Sequence, residues 1–158
     1  MINDQIVLFL CTGNFYRSRY AEALFNHQAG LAGLSWRAKS KGFRPHLATE
    51  ALSHWVVERL EGQEIPLSCT AGTPSKLSAF DLAESSLVIA LYEAEHAPMM
   101  KAQFPRWMDR IRYWNVPDID ITPPTPALAK IEHEVDTLVH QLSAGHAMGR
   151  HRDCVVEF

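Results

Sequence analysis

The sequence predicts an α/β domain in which a parallel sheet is covered by helices on both faces. Three observations support this fold class: short apolar runs of strand length recur along the chain, they are continuous rather than alternating, and segments with helical spacing separate them. Continuous apolar runs are typical of strands buried on both faces. Strands that alternate with helices indicate parallel pairing, because each connection has to cross back over the sheet.

The elements follow one another along the chain. Short apolar segments bounded by turn residues predict strands at 6–10, 36–40, 87–91 and 111–114. Helical spacing predicts helices at 17–30, 49–60 and 94–104, with Gly30 as the stop of the first. Segment 68–75 is predicted as a loop. Thr125 is expected to cap a last helix that has Pro126 at its first position. That helix carries an apolar stripe formed by Leu128, Ile131, Val135, Leu138 and Leu142.

Length and composition indicate one ordinary globular domain spanning 1–158, with 143–158 as a candidate mobile tail. A net charge of −3 argues against nucleic acid or an anionic membrane surface as a partner. No apolar run reaches the roughly 18 residues of a membrane helix. The first residues have neither the basic region nor the cleavage site of a signal peptide.

Three widely spaced cysteines, Cys11, Cys69 and Cys154, indicate reduced thiols and a cytoplasmic location. Nothing predicts the oligomeric state.

A cysteine and an arginine frame the loop after the first strand. Cys11 and Arg17 are separated by five residues, and Ser18 follows. The spacing alone is weakly informative, but its position is specific, because ligands of such sheets bind beyond the carboxyl ends of the strands. Gly13 and Asn14 permit a tight backbone path into the helix. We therefore expect the loop N–H groups and the helix N-terminus to form an anion cradle.

This cradle suits a nucleophilic cysteine beneath a phosphoryl group. Its dipoles and Arg17 favour the thiolate form of Cys11, and the Ser18 hydroxyl is expected to donate to the sulfur. Arg17 can grip two phosphate oxygens, and neither a metal nor a cofactor is needed. The residues predicted to bind substrate are those that build the loop: Thr12, Gly13, Asn14, Phe15, Tyr16 and Ser18.

Two local questions stay open at this point. The alternative to a catalytic site is a buried cysteine that ends a strand, with an unrelated exposed arginine. Asn14 is either a turn residue that tolerates positive φ or a side chain that ties neighbouring segments to the loop.

The stretch from Val7 to Phe25, VLFLCTGNFYRSRYAEALF, resembles the start of a low-molecular-weight protein tyrosine phosphatase. The similarity continues with Ser40-Lys41-Gly42, the approach to the strand at 87–91 and a late acidic loop, and it spans roughly residues 5–143. The resemblance implies a four-stranded parallel sheet with helices on both faces. It also implies hydrolysis of phosphomonoesters, phosphotyrosine or a similar aryl phosphate, through a phosphocysteine.

The sequence departs from the family pattern at two loop positions. Tyr16 stands where the family commonly has a second cysteine, so a disulfide that shields the nucleophile cannot form there. Arg19 stands where a proline usually follows the serine. That change removes a rigid helix start, and we do not expect it to touch the chemistry.

The reaction also needs a proton donor for the leaving oxygen. By its register with the family, Asp118 in the loop at 113–124 is predicted to be this acid, with Asp120 as the alternative. The aromatic wall that would hold a phosphotyrosine ring is missing after Asp118, and Phe15, Tyr16 or Trp114 are the candidates to replace it.

Two other functions stay open beside phosphatase activity on a phosphorylated protein or small phosphomonoester. A thioredoxin-coupled arsenate reductase shares the fold and loop, but it needs a pair of resolving cysteines, whereas Cys69 and Cys154 are isolated in the sequence. A non-catalytic oxyanion- or phosphoprotein-binding module is supported only by the altered acid loop. The histidine-rich stretch 146–154 matches no zinc motif, so no metal site is predicted.

Overall fold

The computed structural model describes residues 4–149, and only the backbone of the last four of these. Its centre is a sheet of four strands, β1 (Gln5–Cys11), β2 (Trp36–Gly42), β3 (Leu87–Ala90) and β4 (Ile111–Tyr113). The strand order is β2-β1-β3-β4, and all three pairings are parallel. The predicted fold class is confirmed, with all four strands placed within two residues of their predicted bounds.

In the described part of the chain, five α-helices connect and cover the strands: α1 (Arg17–Ala32), α2 (His54–Gly62), α3 (Ala79–Glu84), α4 (Glu93–Gln103) and α5 (Pro124–Gly149). Short 3₁₀ turns lie at Pro45–Leu47, Leu67–Thr70 and Pro105–Arg110. The predicted apolar stripe of α5 faces the interior, since its members from Leu128 to Leu138 are buried and Leu142 packs against them.

Successive side chains of β1 point to opposite faces of the sheet, so each face has its own group of buried residues. Val7, Phe9 and Cys11 pack with α1 and α5 on one face. Leu8 and Leu10 pack on the other face with side chains of β3, α3 and α4. A strand covered in this way must be apolar at every position, which explains the continuous run in the sequence.

Several helix bounds differ from prediction because caps decide where a helix starts and stops. Helix α1 continues past Gly30 to Ala32, and the next residue, Gly33, ends it by taking the left-handed conformation at φ 67°. Helix α2 begins only at His54, since the Ser53 hydroxyl accepts a hydrogen bond from the N–H of Trp55. Helix α3 was not predicted, and a capping box between Ser78 and Asp81 stabilises its start.

The start of α5 was also predicted wrongly. The helix begins at Pro124 and not after a Thr125 cap, because the Pro123 carbonyl already accepts from the N–H of Ala127. Its far end continues to Gly149, so the candidate tail 143–158 starts inside a helix. Residues 150–158, with Cys154, lie outside the described residues. Within residues 4–149 no helix is long and apolar enough to cross a membrane.

Parallel pairing brings the carboxyl ends of all four strands to one edge of the sheet. β1 ends at Cys11 and β2 at Gly42, and these two residues pair directly. The connections that leave β3 and β4 at this edge carry Glu95 and Asp118. The connections that follow β2, β3 and β4 therefore meet around the loop that follows Cys11.

Gly42 leaves no room for a side chain under this loop. A Cβ at this position would lie 2.8 Å from the carbonyl oxygen of Thr12 and 2.9 Å from Cβ of Asn14. Gly42→Ala is therefore expected to displace the loop, lower the free energy of unfolding by about 1–3 kcal/mol and weaken phosphate binding about tenfold. Urea unfolding and phosphate inhibition measure the two effects.

Gly62 provides the matched control for this substitution. It lies at the end of α2, and an added Cβ would meet nothing within 4 Å. Gly62→Ala should leave both measurements unchanged or raise stability by up to about 1 kcal/mol. A Gly42→Ala protein as stable and as responsive to phosphate as the Gly62→Ala protein would contradict the packing argument.

Candidate active site

The loop between Cys11 and Ser18 directs its carbonyl groups outward. The carbonyl of Cys11 accepts from the N–H of Phe43 at 3.1 Å, and that of Thr12 accepts from the N–H of Arg44 at 2.8 Å. The carbonyl of Phe15 accepts from the N–H of Ser53 at 2.7 Å. The segments after β2 and before α2 thus hold the loop from outside.

Outward carbonyls leave the loop amides for another partner. None of the backbone N–H groups of residues 12–17 donates to an acceptor within the described part of the chain. Unsatisfied donors at the start of a helix, beside an arginine, form a site for an anion with several oxygens. This arrangement agrees with the cradle expected from the sequence.

The sulfur of Cys11 contacts the serine that follows Arg17. Cys11 Sγ lies 3.0 Å from Ser18 Oγ, and both side chains are buried. Ser18 Oγ already accepts a hydrogen bond from Nδ2 of Asn14 at 2.9 Å. The serine hydrogen is therefore free to point at the sulfur.

Asn14 combines the two roles that the sequence left open. Its backbone has a positive φ of 57°, as a tight turn requires. Its Nδ2 also donates to Ser40 Oγ at 3.1 Å, and its Oδ1 accepts from the N–H of Ser75 at 3.0 Å. The side chain therefore joins the loop to β2 and to the segment before α3 without any ligand.

Arg17 is buried, with 2% of its surface exposed, in contrast to the exposed arginine of the alternative interpretation. Its Nη1 and Nη2 atoms donate to the two carboxylate oxygens of Glu95 at 3.2 and 2.7 Å. Nη1 also donates to the carbonyl of Val116 at 3.1 Å. Among the described residues Nε has no partner, so one edge of the planar guanidinium stays available for a ligand.

Glu95 is held in its charged form by the groups around it. Burial alone would raise the pKa of Glu95, but hydrogen bonds from His96 and Arg17 and the charge of Arg17 hold it well below its usual range. The Thr12 hydroxyl also donates to this carboxylate. A charged Glu95 locks Arg17 in place, and it also ties the start of the loop to α4.

His96 is fully buried beside Glu95, and burial lowers the pKa of its imidazole, so the ring is neutral at pH 7. Nδ1 accepts from the N–H of Tyr92 at 3.1 Å, so we assign the hydrogen to Nε2. That atom lies 3.1 Å from Glu95 Oε2 and 3.2 Å from Thr12 Oγ1.

The two candidate acids, Asp118 and Asp120, have different surroundings in the structure. Asp118 Oδ2 lies 3.5 Å from Nη2 of Arg17, and 41% of the side chain is exposed. Its Oδ1 and its carbonyl accept from the N–H groups of Ile119, Ile121 and Thr122, which makes a tight turn. Asp120 is exposed and has no hydrogen bond or ion pair with any described residue.

The candidates for an aromatic wall differ in accessibility. Trp114 packs on Phe9, with ring centroids 5.3 Å apart, and belongs to the core. Tyr16 is also buried, and its hydroxyl has no partner within residues 4–149. Burial and the charge of Asp118 raise the pKa of Tyr16 to about 12. Only Phe15 is partly accessible, so Trp114 and Tyr16 do not form a wall.

Sequence reasoning missed three polar residues near the loop, Glu95, His96 and Glu22, and it gave Arg19 no role in the site. Glu95 and His96 follow a correctly predicted strand, so the rule that ligands bind at strand ends could have found them. Arg19 and Glu22, by contrast, look like the polar face of an amphipathic helix. Only the packing of segment 70–72 against α1 shows that they are covered.

Glu22 makes a pH-dependent contribution to stability. Burial raises its pKa to about 7, although Thr70 and Ser40 donate to it and Arg19 is near. The folded protein thus binds this proton more tightly than the unfolded chain does, and the associated stability is lost as pH rises from about 4.5 to about 7. This contribution is on the order of 3 kcal/mol.

Glu22→Gln should remove this contribution, because the amide does not ionise and its oxygen can still accept from Ser40 and Thr70. Between pH 5 and pH 8 the free energy of unfolding of wild type should fall relative to that of Glu22→Gln, so the variant becomes relatively more stable as pH rises. Urea unfolding at both pH values measures it. Parallel pH profiles of the two proteins would contradict the assignment.

A match to a known family shows where this chain belongs. The family model described as low molecular weight phosphotyrosine protein phosphatase matches residues 6–147. The chain belongs to this family. It is therefore a phosphatase, and the resemblance drawn from the loop motif is confirmed.

Individual relatives of this phosphatase differ in their described activity. The protein-arginine-phosphatase of Bacillus subtilis (strain 168) is 30% identical over 105 residues, which cover 66% of this chain and 67% of that protein. The crystal structure of a low molecular weight protein tyrosine phosphatase from T. tengcongensis is 27% identical, with a TM-score of 0.73 and coverage of 87% and 99%. An arginine phosphatase from Geobacillus stearothermophilus has a TM-score of 0.75 at 23% identity, covering 94% of this phosphatase and 99% of its own chain, and shows the shared fold.

Proposed function

We propose that this phosphatase hydrolyses phosphomonoesters through a phosphocysteine formed on Cys11. One observation carries the proposal: a buried cysteine, an arginine and an aspartate lie around a loop whose amides have no acceptor among the described residues. The loop amides, the Ser18 hydroxyl and Arg17 bind the phosphoryl oxygens and the sulfur. Asp118 is the general acid, favoured over Asp120 by its position next to Arg17.

The reaction proceeds in two balanced steps. In the first, the Cys11 thiolate attacks phosphorus, the S–P bond forms, and the ester P–O bond breaks while Asp118 gives its proton to the leaving oxygen. In the second, Asp118 takes a proton from water, the water oxygen attacks phosphorus, and phosphate leaves with Cys11 again a thiolate. Arg17 and the amides stabilise charge on the equatorial oxygens in both steps.

For the substrate we propose a protein phosphotyrosine or a similar aryl phosphate. Family membership and the partly accessible ring of Phe15 beside the cradle support this choice. A phosphoarginine protein is the second candidate, because the Bacillus subtilis relative is a protein-arginine-phosphatase. The carboxylates of Asp118, which is partly exposed, and Asp120, which is exposed, would also favour a cationic guanidinium over a second anion. A cytoplasmic location is proposed as well, supported by the free thiols of Cys11 and Cys69.

Arsenate reduction and simple oxyanion binding have weaker support. Cys69 is buried in the turn Leu67–Thr70, and burial and the charge of Glu22 raise the pKa of its thiol, which makes it a poor attacking group. Cys154 lies outside the described residues. The non-catalytic module is supported only by the altered acid loop, and the position of Asp118 beside Arg17 weighs against it.

A substrate panel tests the proposal. Wild-type protein and the Cys11→Ser variant are assayed on p-nitrophenyl phosphate, a phosphotyrosine peptide, a phosphoarginine peptide and a phosphoserine peptide. We expect hydrolysis of the aryl substrates by wild type alone, with phosphate as a competitive inhibitor. A higher kcat/KM on phosphoarginine would select the second candidate. Phosphate binding without turnover of any substrate would overturn phosphatase catalysis by this site.

A further inference from the structure

A second arginine lies behind the phosphate-binding loop. Arg19 follows Arg17 by two positions on α1, so its side chain leaves the helix roughly 200° around the axis from that of Arg17. Only 2% of its surface is exposed. A buried guanidinium is costly unless its donors are satisfied, so its partners show what it holds.

All five N–H donors of Arg19 have partners. Nε donates to the Thr70 hydroxyl at 2.7 Å, and Nη2 donates to the carbonyls of Thr70 and Gly72 at 2.7 and 3.0 Å. Nη1 donates to the carbonyl of Ala51 at 3.1 Å and to that of Asn14, within the loop, at 3.5 Å. One planar group therefore joins the phosphate-binding loop to two segments that are distant in sequence.

The contact with Asn14 bears on the shape of the cradle. The carbonyl of this residue faces outward to Arg19, and its side chain donates to Ser18, whose hydroxyl contacts the Cys11 sulfur. Removing the guanidinium would leave this carbonyl and those of segments 51 and 70–72 without their donor. The backbone at Asn14 would then shift to satisfy its carbonyl, and the Asn14 side chain, which still donates to Ser18, would move the donor to the sulfur with it.

The positive charge of Arg19, like its hydrogen bonds, supports the surroundings of Cys11. Its acceptors are neutral, and the nearest carboxylate, Glu22, is 3.7 Å from Nε. Burial lowers the pKa of Arg19, while the negative charges of Glu22 and Cys11 raise it. By reciprocity, a charged Arg19 stabilises a thiolate at Cys11.

We propose that Arg19 is a positioning residue for the phosphatase reaction, which fixes the Asn14 part of the loop and adds a second buried positive charge behind the nucleophile. The sequence led us to expect that the change from proline to Arg19 leaves the chemistry untouched, and the proposal replaces that expectation. It rests on Cys11 as the proposed nucleophile. The substrate can be of any class.

Arg19→Gln and Arg19→Lys test the proposal with two readouts: steady-state kinetics on p-nitrophenyl phosphate, and the rate of Cys11 alkylation by iodoacetamide at pH 7. For Arg19→Gln we expect kcat to fall about 10- to 100-fold with a smaller change in KM. Alkylation of Cys11 should be about three- to tenfold slower than in wild type. Lysine keeps the charge but not the planar set of donors, so Arg19→Lys should restore the alkylation rate and not kcat.

Arg59→Gln is the matched control, because Arg59 pairs with Glu132, a residue of α5, at 2.8 Å. It should change neither readout. If Arg19→Gln lowers only the urea midpoint of unfolding and keeps wild-type kcat and alkylation, the role is purely structural and the proposal is wrong. If that variant does not fold, Arg19→Lys decides: an unchanged kcat overturns the proposal. Alkylation needs no turnover, so it tests Arg19 even if the proposed hydrolase activity fails.

Discussion

Cys11→Ser is expected to lower kcat on an aryl phosphate by roughly 10⁵-fold, the order of loss seen when a covalent nucleophile is removed. The serine hydroxyl is not ionised at neutral pH, so it attacks phosphorus far more slowly than a thiolate does. The loop amides and Arg17 remain, and phosphate should still bind. Initial rates and phosphate binding by calorimetry measure the two effects separately.

Cys69→Ser is the matched control for this variant. Cys69 is also buried and free, but it lies in the turn Leu67–Thr70, away from the loop amides. Its replacement should leave kcat within about twofold of wild type. Turnover by Cys11→Ser within about tenfold of wild type, or an equal loss in Cys69→Ser, would show that another group attacks phosphorus.

Asp118→Asn should lower kcat about 10²- to 10³-fold on a phosphate ester with a poor leaving group, such as phenyl phosphate. The amide cannot give a proton to the departing oxygen, whereas the loop and Arg17 still bind the phosphoryl group. The loss should therefore shrink for p-nitrophenyl phosphate, whose leaving oxygen needs little protonation. A plot of kcat against leaving-group pKa is the appropriate measurement.

Asp120→Asn distinguishes a general acid from a nearby negative charge. Asp120 lies two residues away and is exposed, with no contact to Arg17 among the described residues. This variant should keep the wild-type dependence on leaving group. If Asp120→Asn is the more impaired protein on phenyl phosphate, the assignment of the acid must be reversed.

The Cys11→Ser and Asp118→Asn variants also separate the binding of the phosphoryl group from the chemical steps. Cys11→Ser removes the atom that forms a bond with phosphorus, and Asp118→Asn removes the proton for the leaving group. Both leave the cradle of amides intact. A variant that affected only KM would instead indicate uniform binding of substrate and transition state.

Much of the fold could be predicted because its signals are local. Continuous apolar runs located the strands, and the short spacing between Cys11 and Arg17 placed the loop and the start of α1. Caps were harder to predict. Whether Gly30 or Gly33 ends α1, and whether Ser53 or an earlier residue starts α2, depends on hydrogen bonds that cost little energy to move.

By itself the sequence determined the strand, the tight loop and the helix that surround Cys11 and Arg17, because these depend on residues fewer than ten apart. Only the tertiary structure decided which distant groups complete the site. Glu95 is 78 positions from Arg17, and Thr70 is 51 positions from Arg19. The first contact forms because the parallel strands end at one edge of the sheet, and the second because segment 70–72 covers α1. Neither contact can be predicted from the spacing of neighbouring residues.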